Sequence, residues 1–161
     1  MNFIKSKIDM LLEVVSVGIF SFMTLLVSWQ VFTRYILNKP STQSEILAKY
    51  LFVWLVFLGA SYVFGKREHM NISYLKDKAP IGVQKKLDVC IEVLVLIFTL
   101  CVLVIGGLYL TTSGMAQVDA TLKIPMGYIY MVIPISGVIT IFYNIYNILE
   151  IIKKHYTKEE Q

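Results

Sequence analysis

The chain has 161 residues and a formal charge of +4; 57% of it is hydrophobic and only 16% is charged. Soluble domains carry about 45–50% apolar residues even with glycine counted, and about a quarter charged, so a mean hydropathy of +0.67 excludes an ordinary soluble globule. The basic balance does not indicate nucleic acid, because the lysines and arginines fall between long apolar runs and not along a stripe with interleaved aromatics.

The chain opens on Met1-Asn2-Phe3-Ile4-Lys5-Ser6-Lys7, basic like the start of a signal peptide. The apolar stretch that follows is too long for one and no small-residue cleavage site closes it, so an uncleaved anchor is expected. Four runs approach the ~20 residues that cross a bilayer core: roughly 10–37, 46–64, 89–114 and 125–150. They lack the polar alternation of a barrel wall. The predicted fold class is therefore an all-α integral membrane protein with four transmembrane helices, residues 1–161 forming one membrane domain.

Eleven Lys and Arg lie before the first run, between the second and third, and after the fourth, against four in the other two loops. The positive-inside rule then predicts cytoplasmic N- and C-termini and outward-facing loops at 38–45 and 117–123. The stretch 66–86 mixes Ile72, Tyr74 and Leu75 with Lys76, Asp77 and Lys78, and reads either as a short interfacial helix ended by Pro80 or as a plain basic loop. Cys90 and Cys101 share one run. On a helix they stand about 16 Å apart, too far for a disulfide.

Polar groups at membrane depth are costly unless partnered. In the fourth run Ser136, Thr140, Asn144 and Asn147 share one helical face, which is either a substrate or ion lining or a hydrogen-bonded seam to another helix. Pro134 removes a hydrogen bond to the Tyr130 carbonyl and predicts a kink. Ser21, Thr24 and Ser28 form a milder stripe, and Gly59-Ala60 and Gly106-Gly107 suit close helix approach; no GxxxG pair signals self-dimerisation. Asp9 with Glu13 and Asp88 with Glu92 sit near the inner ends, where Lys5 and Lys85 are spaced for local ion pairs.

At the outer side, Arg34 ends the first run while Glu45 and Lys49 open the second, so an Arg34–Glu45 ion pair is expected across the short connection. Ser44 is a suitable N-cap. Trp29, Tyr35, Tyr50 and Trp54 supply an interfacial aromatic belt. Catalysis is poorly served: His69 and His155 lie outside the spans, there is no His/Cys/carboxylate set at metal-ligand spacing, and no nucleophile or phosphate-loop motif occurs. Neither an enzyme nor a haem-bearing electron-transfer subunit is expected. A self-contained homodimeric small-molecule or multidrug transporter would need a membrane carboxylate, for which Glu13 or Glu92 would have to serve.

Several motifs carry a resemblance. The first run ends Trp29-Gln30-Val31-Phe32-Thr33-Arg34-Tyr35, and the second opens Ser44-Glu45-Ile46-Leu47-Ala48-Lys49-Tyr50-Leu51-Phe52-Val53-Trp54 and continues to Gly59-Ala60. Glu68-His69-Met70 follows, and later Leu122-Lys123-Ile124-Pro125-Met126 with Tyr130 and Pro134. In three separate places, over about 8–149, the chain resembles the small membrane subunit (the DctQ-like, or Q, subunit) of tripartite ATP-independent periplasmic (TRAP) transporters. Ile46 departs from the pattern, since many relatives carry a second acid there, which leaves Glu45 alone.

The resemblance implies a scaffold subunit of a sodium-coupled secondary transporter in the bacterial inner membrane that imports an organic carboxylate such as sialic acid or a C4-dicarboxylate. The implied partners are a large elevator-type membrane subunit, which would hold the sodium and substrate, a periplasmic substrate-binding protein, and membrane lipids; no cofactor is implied in this chain. Trp29, Arg34, Glu45, Lys49 and Tyr50 are the candidate outer structural motif, with Ser136, Thr140 and Asn144 as seam or large-subunit interface. Asn38, Lys39, Asp119 and Lys123 are candidates for touching the binding protein. The ending Lys158-Glu159-Glu160-Gln161 suggests a large subunit on a separate chain.

Overall fold

The computed structural model describes residues 2–39, 41–66 and 81–159. Its elements are α1 (Asn2–Tyr35), α2 (Thr42–Gly65), α3 (Ile81–Phe98), a π-helical stretch (Thr99–Gly106) that runs into α4 (Gly107–Gly114), then α5 (Gly127–Tyr130) and α6 (Val132–Glu159). Among the described residues, four stretches are long and apolar enough to cross a membrane: Phe3–Tyr35, Thr42–Gly65, Val89–Gly114 and Gly127–Leu149. Among the described residues the only extended pairing is an isolated bridge between Val118 and Pro125. The all-α, four-span class expected from the sequence is the one observed. The question of an interfacial helix over 66–86, and the Glu68-His69-Met70 motif, fall largely outside the described residues.

The 34 residues of α1 extend about 50 Å, well beyond a hydrocarbon core of ~30 Å, so its lysine-bearing start projects past the apolar layer. The helix stops where Asn38 takes a left-handed φ of 52°, a conformation asparagine adopts more readily than most residues. There the Lys39 amide reaches the Thr33 carbonyl at 3.1 Å. The next helix begins earlier than expected, and the cap is Ser41, whose backbone is extended. Ser44 is not the N-cap: it lies inside the first turn and its hydroxyl donates to the Ser41 carbonyl at 2.9 Å.

The third span is helical from Ile81 onward, with its middle wound wide over Thr99–Gly106. The fourth is interrupted at Met131, between α5 and α6. Pro134 accounts for the break, since it has no N–H to offer the Tyr130 carbonyl.

The four spans stand in a row. One face of α1 packs on α2 while its first turns also reach α6 through Lys5 and Asp9, α2 packs on α6, and α6 packs on α3 and its π-helical continuation. The fourth span is thus interior, with 44% of its apolar window buried, against 6% for the first span at the edge. Leu12, Leu58, Phe64, Val132 and Tyr143 form the buried apolar core.

Close approach relies on glycines. A Cβ on Gly65 would stand 2.7 Å from the Tyr143 ring, and one on Gly137 would stand 2.9 Å from Leu103 Cβ. Of the small-residue pairs picked out in sequence, Gly107 is used in this way, against Ile133 and Pro134, whereas Gly59 faces open space. Large apolar side chains remain exposed along both edges, among them Leu25 and Val31 on α1 and Leu94 and Ile105 on the third span. A water-soluble monomer rarely shows such continuous apolar faces.

Candidate functional site

At the start of α2, Glu45 and Lys49 form an ion pair of 2.8 Å. The expected Arg34–Glu45 pair is not made. Glu45 and Lys49 stand one helical turn apart on one face, whereas Arg34 would have to reach across the connection after α1. Arg34 is exposed in the last turn of α1, where a cation complements the helix dipole; it stays beyond ion-pair distance of Glu45 but near enough for its charge to act on that carboxylate. Trp29 is exposed and stacks on Phe32 with centroids 5.7 Å apart.

Tyr50 points the other way, into the bundle. Its hydroxyl donates to Asp119 Oδ2 at 2.7 Å and lies 3.5 Å from the Met126 sulfur. The loop between α4 and α5 is built around that acid. Asp119 Oδ1 accepts the amides of Thr121 and Leu122 at 2.8 and 2.7 Å. The Asp119 amide donates to the Ile124 carbonyl, and its carbonyl accepts the Lys123 amide, both at 3.0 Å. These bonds hold Lys123 at a left-handed φ of 54° with its side chain exposed. The Tyr50 hydroxyl first, and then the Leu122 amide, hold the Asp119 carboxyl below the usual carboxylate range. Both Asp119 oxygens are therefore engaged within the chain. Of the four residues expected to face a binding protein, Asn38, Lys39 and Lys123 are exposed and Asp119 is half-buried.

Deeper in the membrane, Ser136, Thr140, Asn144 and Asn147 are all buried inside this chain's own bundle. Thr140 donates to Ser61 Oγ at 3.2 Å, and the Ser61 hydroxyl is shared between the Phe57 carbonyl of its own helix at 3.0 Å and the Ser136 carbonyl at 3.2 Å. Asn144 Nδ2 donates to both the carbonyl and the carboxylate of Glu92, at 2.9 and 2.8 Å. The seam therefore joins α6 to α2 on one side and to α3 on the other. Glu92, 3% exposed, is part of that seam, while Glu13 is exposed.

Near the start of α1, two partners differ from those expected. Asp9 accepts the Tyr143 hydroxyl, not an ion pair from Lys5, whose ammonium lies 4.7 Å from the Tyr146 ring centroid. Ser61 and Tyr143 were not foreseen. The one available signal for Ser61 was a hydroxyl amid an otherwise apolar run. His69 and the side chains of Asp88, Lys85 and His155 lie outside the described residues.

The class so defined is a four-span integral membrane protein whose buried polar groups join its helices to one another. Residues 23–154 match the family described as "Tripartite ATP-independent periplasmic transporters, DctQ component", and the chain belongs to this family. It is the small membrane component of a tripartite transporter of the inner membrane, working beside a larger permease, and it is not an enzyme.

Among its relatives, the sialic acid TRAP transporter small permease protein SiaQ of Vibrio cholerae is 26% identical over 95% of this chain and 88% of its own length. A putative TRAP transporter small permease protein of Haemophilus influenzae is 30% identical over 82% of this chain and 81% of its own length. The sialic acid TRAP transporter permease protein SiaT of Haemophilus influenzae is 26% identical over 70% of this chain, but that match covers only 18% of SiaT.

Proposed function

We propose that this subunit is a fixed brace for an elevator-type large permease in a sodium-coupled importer of an organic carboxylate, with sialic acids as the first class to try. The observation that carries the bracing role is the use of the buried polar groups. Ser61, Ser136, Thr140, Asn144 and Glu92 bond across helices, which stiffens the row of spans. Sialic acid is favoured over C4-dicarboxylates because two of the relatives bear that substrate in their names.

In this arrangement both termini are cytoplasmic, and the loops after α1 and α4 face the periplasm, where Asn38, Lys39 and Lys123 meet the binding protein. The exposed outer residues Trp29, Arg34, Glu45 and Lys49 then flank the large permease. Sodium and substrate are held by that permease and not by this chain.

Gentle extraction from the native membrane should yield a one-to-one complex with a much larger membrane protein. Reconstituted with its binding protein, the complex should take up sialic acid only under an inward sodium gradient. A homodimer lacking a larger partner would overturn the bracing role, and uptake indifferent to sodium would overturn the coupling. Thiol labelling of Lys39→Cys and Lys123→Cys from the periplasmic side tests the orientation; labelling only from the cytoplasm would reverse it.

A further inference from the structure

The outer turn 119–124 is closed by backbone pairing at its base, with the Met126 amide bonded to the Gln117 carbonyl, and by Asp119 above it. Asp119 uses its amide and carbonyl to hold Ile124 and Lys123, and one carboxylate oxygen to hold the amides of Thr121 and Leu122. Its remaining oxygen takes the Tyr50 hydroxyl, a bond that spans 69 positions in the chain. Tyr50 lies two turns inside α2, which is packed on both sides by α1 and α6, so it is a rigid point of attachment. The surface the turn presents is an exposed ammonium, Lys123, flanked by Val118 (61% exposed) and Ile124 (39%). Such a face suits a protein surface that pairs a carboxylate with apolar neighbours.

We infer that Tyr50 is a positioning residue: through Asp119 it fixes the outer turn in the shape that presents Lys123 and Ile124 to the periplasmic binding protein. The inference rests on the docking role proposed above for Lys123. Tyr50 does not touch that partner; it removes freedom from the turn that does. Holding a loop in its bound shape raises affinity by lowering the ordering cost of association.

The test uses the purified complex of this subunit with its large permease, and the substrate-loaded binding protein of the same transporter as the probe. Tyr50→Phe keeps the ring and removes only the hydroxyl. It should leave the yield of the complex unchanged, speed amide exchange at Thr121 and Leu122, and weaken docking about fivefold, the worth of one net hydrogen bond. Asp119→Asn keeps only one acceptor and places an NH2 donor against either the tyrosine or the two amides, so it should loosen the turn and weaken docking at least as much as Tyr50→Phe. Combining Tyr50→Phe with Lys123→Ala should weaken docking by clearly less than the product of the two single effects, because both act on one turn.

Unchanged amide exchange in Tyr50→Phe would overturn the latch whatever the docking result. Additive losses in the double variant would overturn it too, by showing that Tyr50 acts elsewhere. If Lys123→Ala weakens docking and Tyr50→Phe does not, the latch fails while the docking role stands. Full affinity in both Lys39→Ala and Lys123→Ala, with exchange still raised in Tyr50→Phe, would instead sink the docking role and with it the presentation of Lys123.

Discussion

The Asp119 carboxylate is stabilised in its ionised form, chiefly by the Tyr50 hydroxyl and then by the Leu122 amide, so its pKa lies below that of a free aspartate. A depressed native value means that the order it confers is fully present above the unfolded pKa of about 3.9 and is lost as pH falls through the native value. A fluorophore on Lys123→Cys should therefore report a constant loop from neutral pH down to about 4, then loosening below it. In Tyr50→Phe the loosening should set in at a higher pH; an unshifted midpoint would mean the hydroxyl does not govern the acid. Glu45 and Lys49 sit at the other extreme. Their pair is half or more exposed and so adds little stability. A marked loss of uptake in Glu45→Gln, with unchanged thermal stability, would then report a partner contact.

Elements meet in this protein where side chains are missing or where a polar group has a partner across the gap. Gly65 lets α2 lie against the Tyr143 ring, with ring carbons 2.7 Å from the Cβ position. Tyr143 is fully buried and its hydroxyl is held by Asp9, so the ring cannot swing aside. Gly65→Ala should destabilise the subunit by about 1–3 kcal/mol, the usual cost of overpacking, seen as a lower melting temperature of the detergent-solubilised complex. Tyr143→Phe should cost less, about 0.6 kcal/mol, as inter-helix hydrogen bonds in membranes do. If the alanine variant melted like the parent, α2 and α6 would not be in the contact described.

These contacts also mark the limit of what could be read from the sequence. The spans were legible because apolar length alone specifies them, and the face shared by Ser136, Thr140, Asn144 and Asn147 followed from helical spacing. Which helix each face meets is set by three-dimensional packing. Ser61, Gly65, Gly137 and the Tyr50–Asp119 bond are therefore pairings between positions far apart in the chain. The short connection does bring the Arg34 charge within reach of Glu45, but the helix offers Glu45 a nearer cation in Lys49, which takes the ion pair. Ser44 was displaced as cap because α2 starts at Thr42.

For the molecule as a whole, four spans with α6 inside leave α1 and the third span as two edges, both carrying exposed bulky apolar side chains. The outward face of the third span carries Leu94, Ile97, Phe98, Val102 and Ile105, bulky and flexible against lipid chains. The outward side of α1 includes Gly18, with open space where a Cβ would stand, and exposed Ser21, Thr24 and Ser28. The hydroxyls of Thr24 and Ser28 are already bonded to carbonyls one turn back, at 2.9 Å each, so they need no polar partner and leave gaps between the exposed side chains of Val17 and Leu25. Small residues gain nothing against lipid but allow another helix to pack closely. The large permease is accordingly expected on the α1 edge, with lipid on the other. Ser21→Trp should lower recovery of the two-subunit complex severalfold while Ile105→Trp leaves it near the parent, and a photo-cross-linker should capture the permease from position 21 but not from 105. The reverse pattern would place the brace on the opposite edge and make α1 the lipid-facing helix.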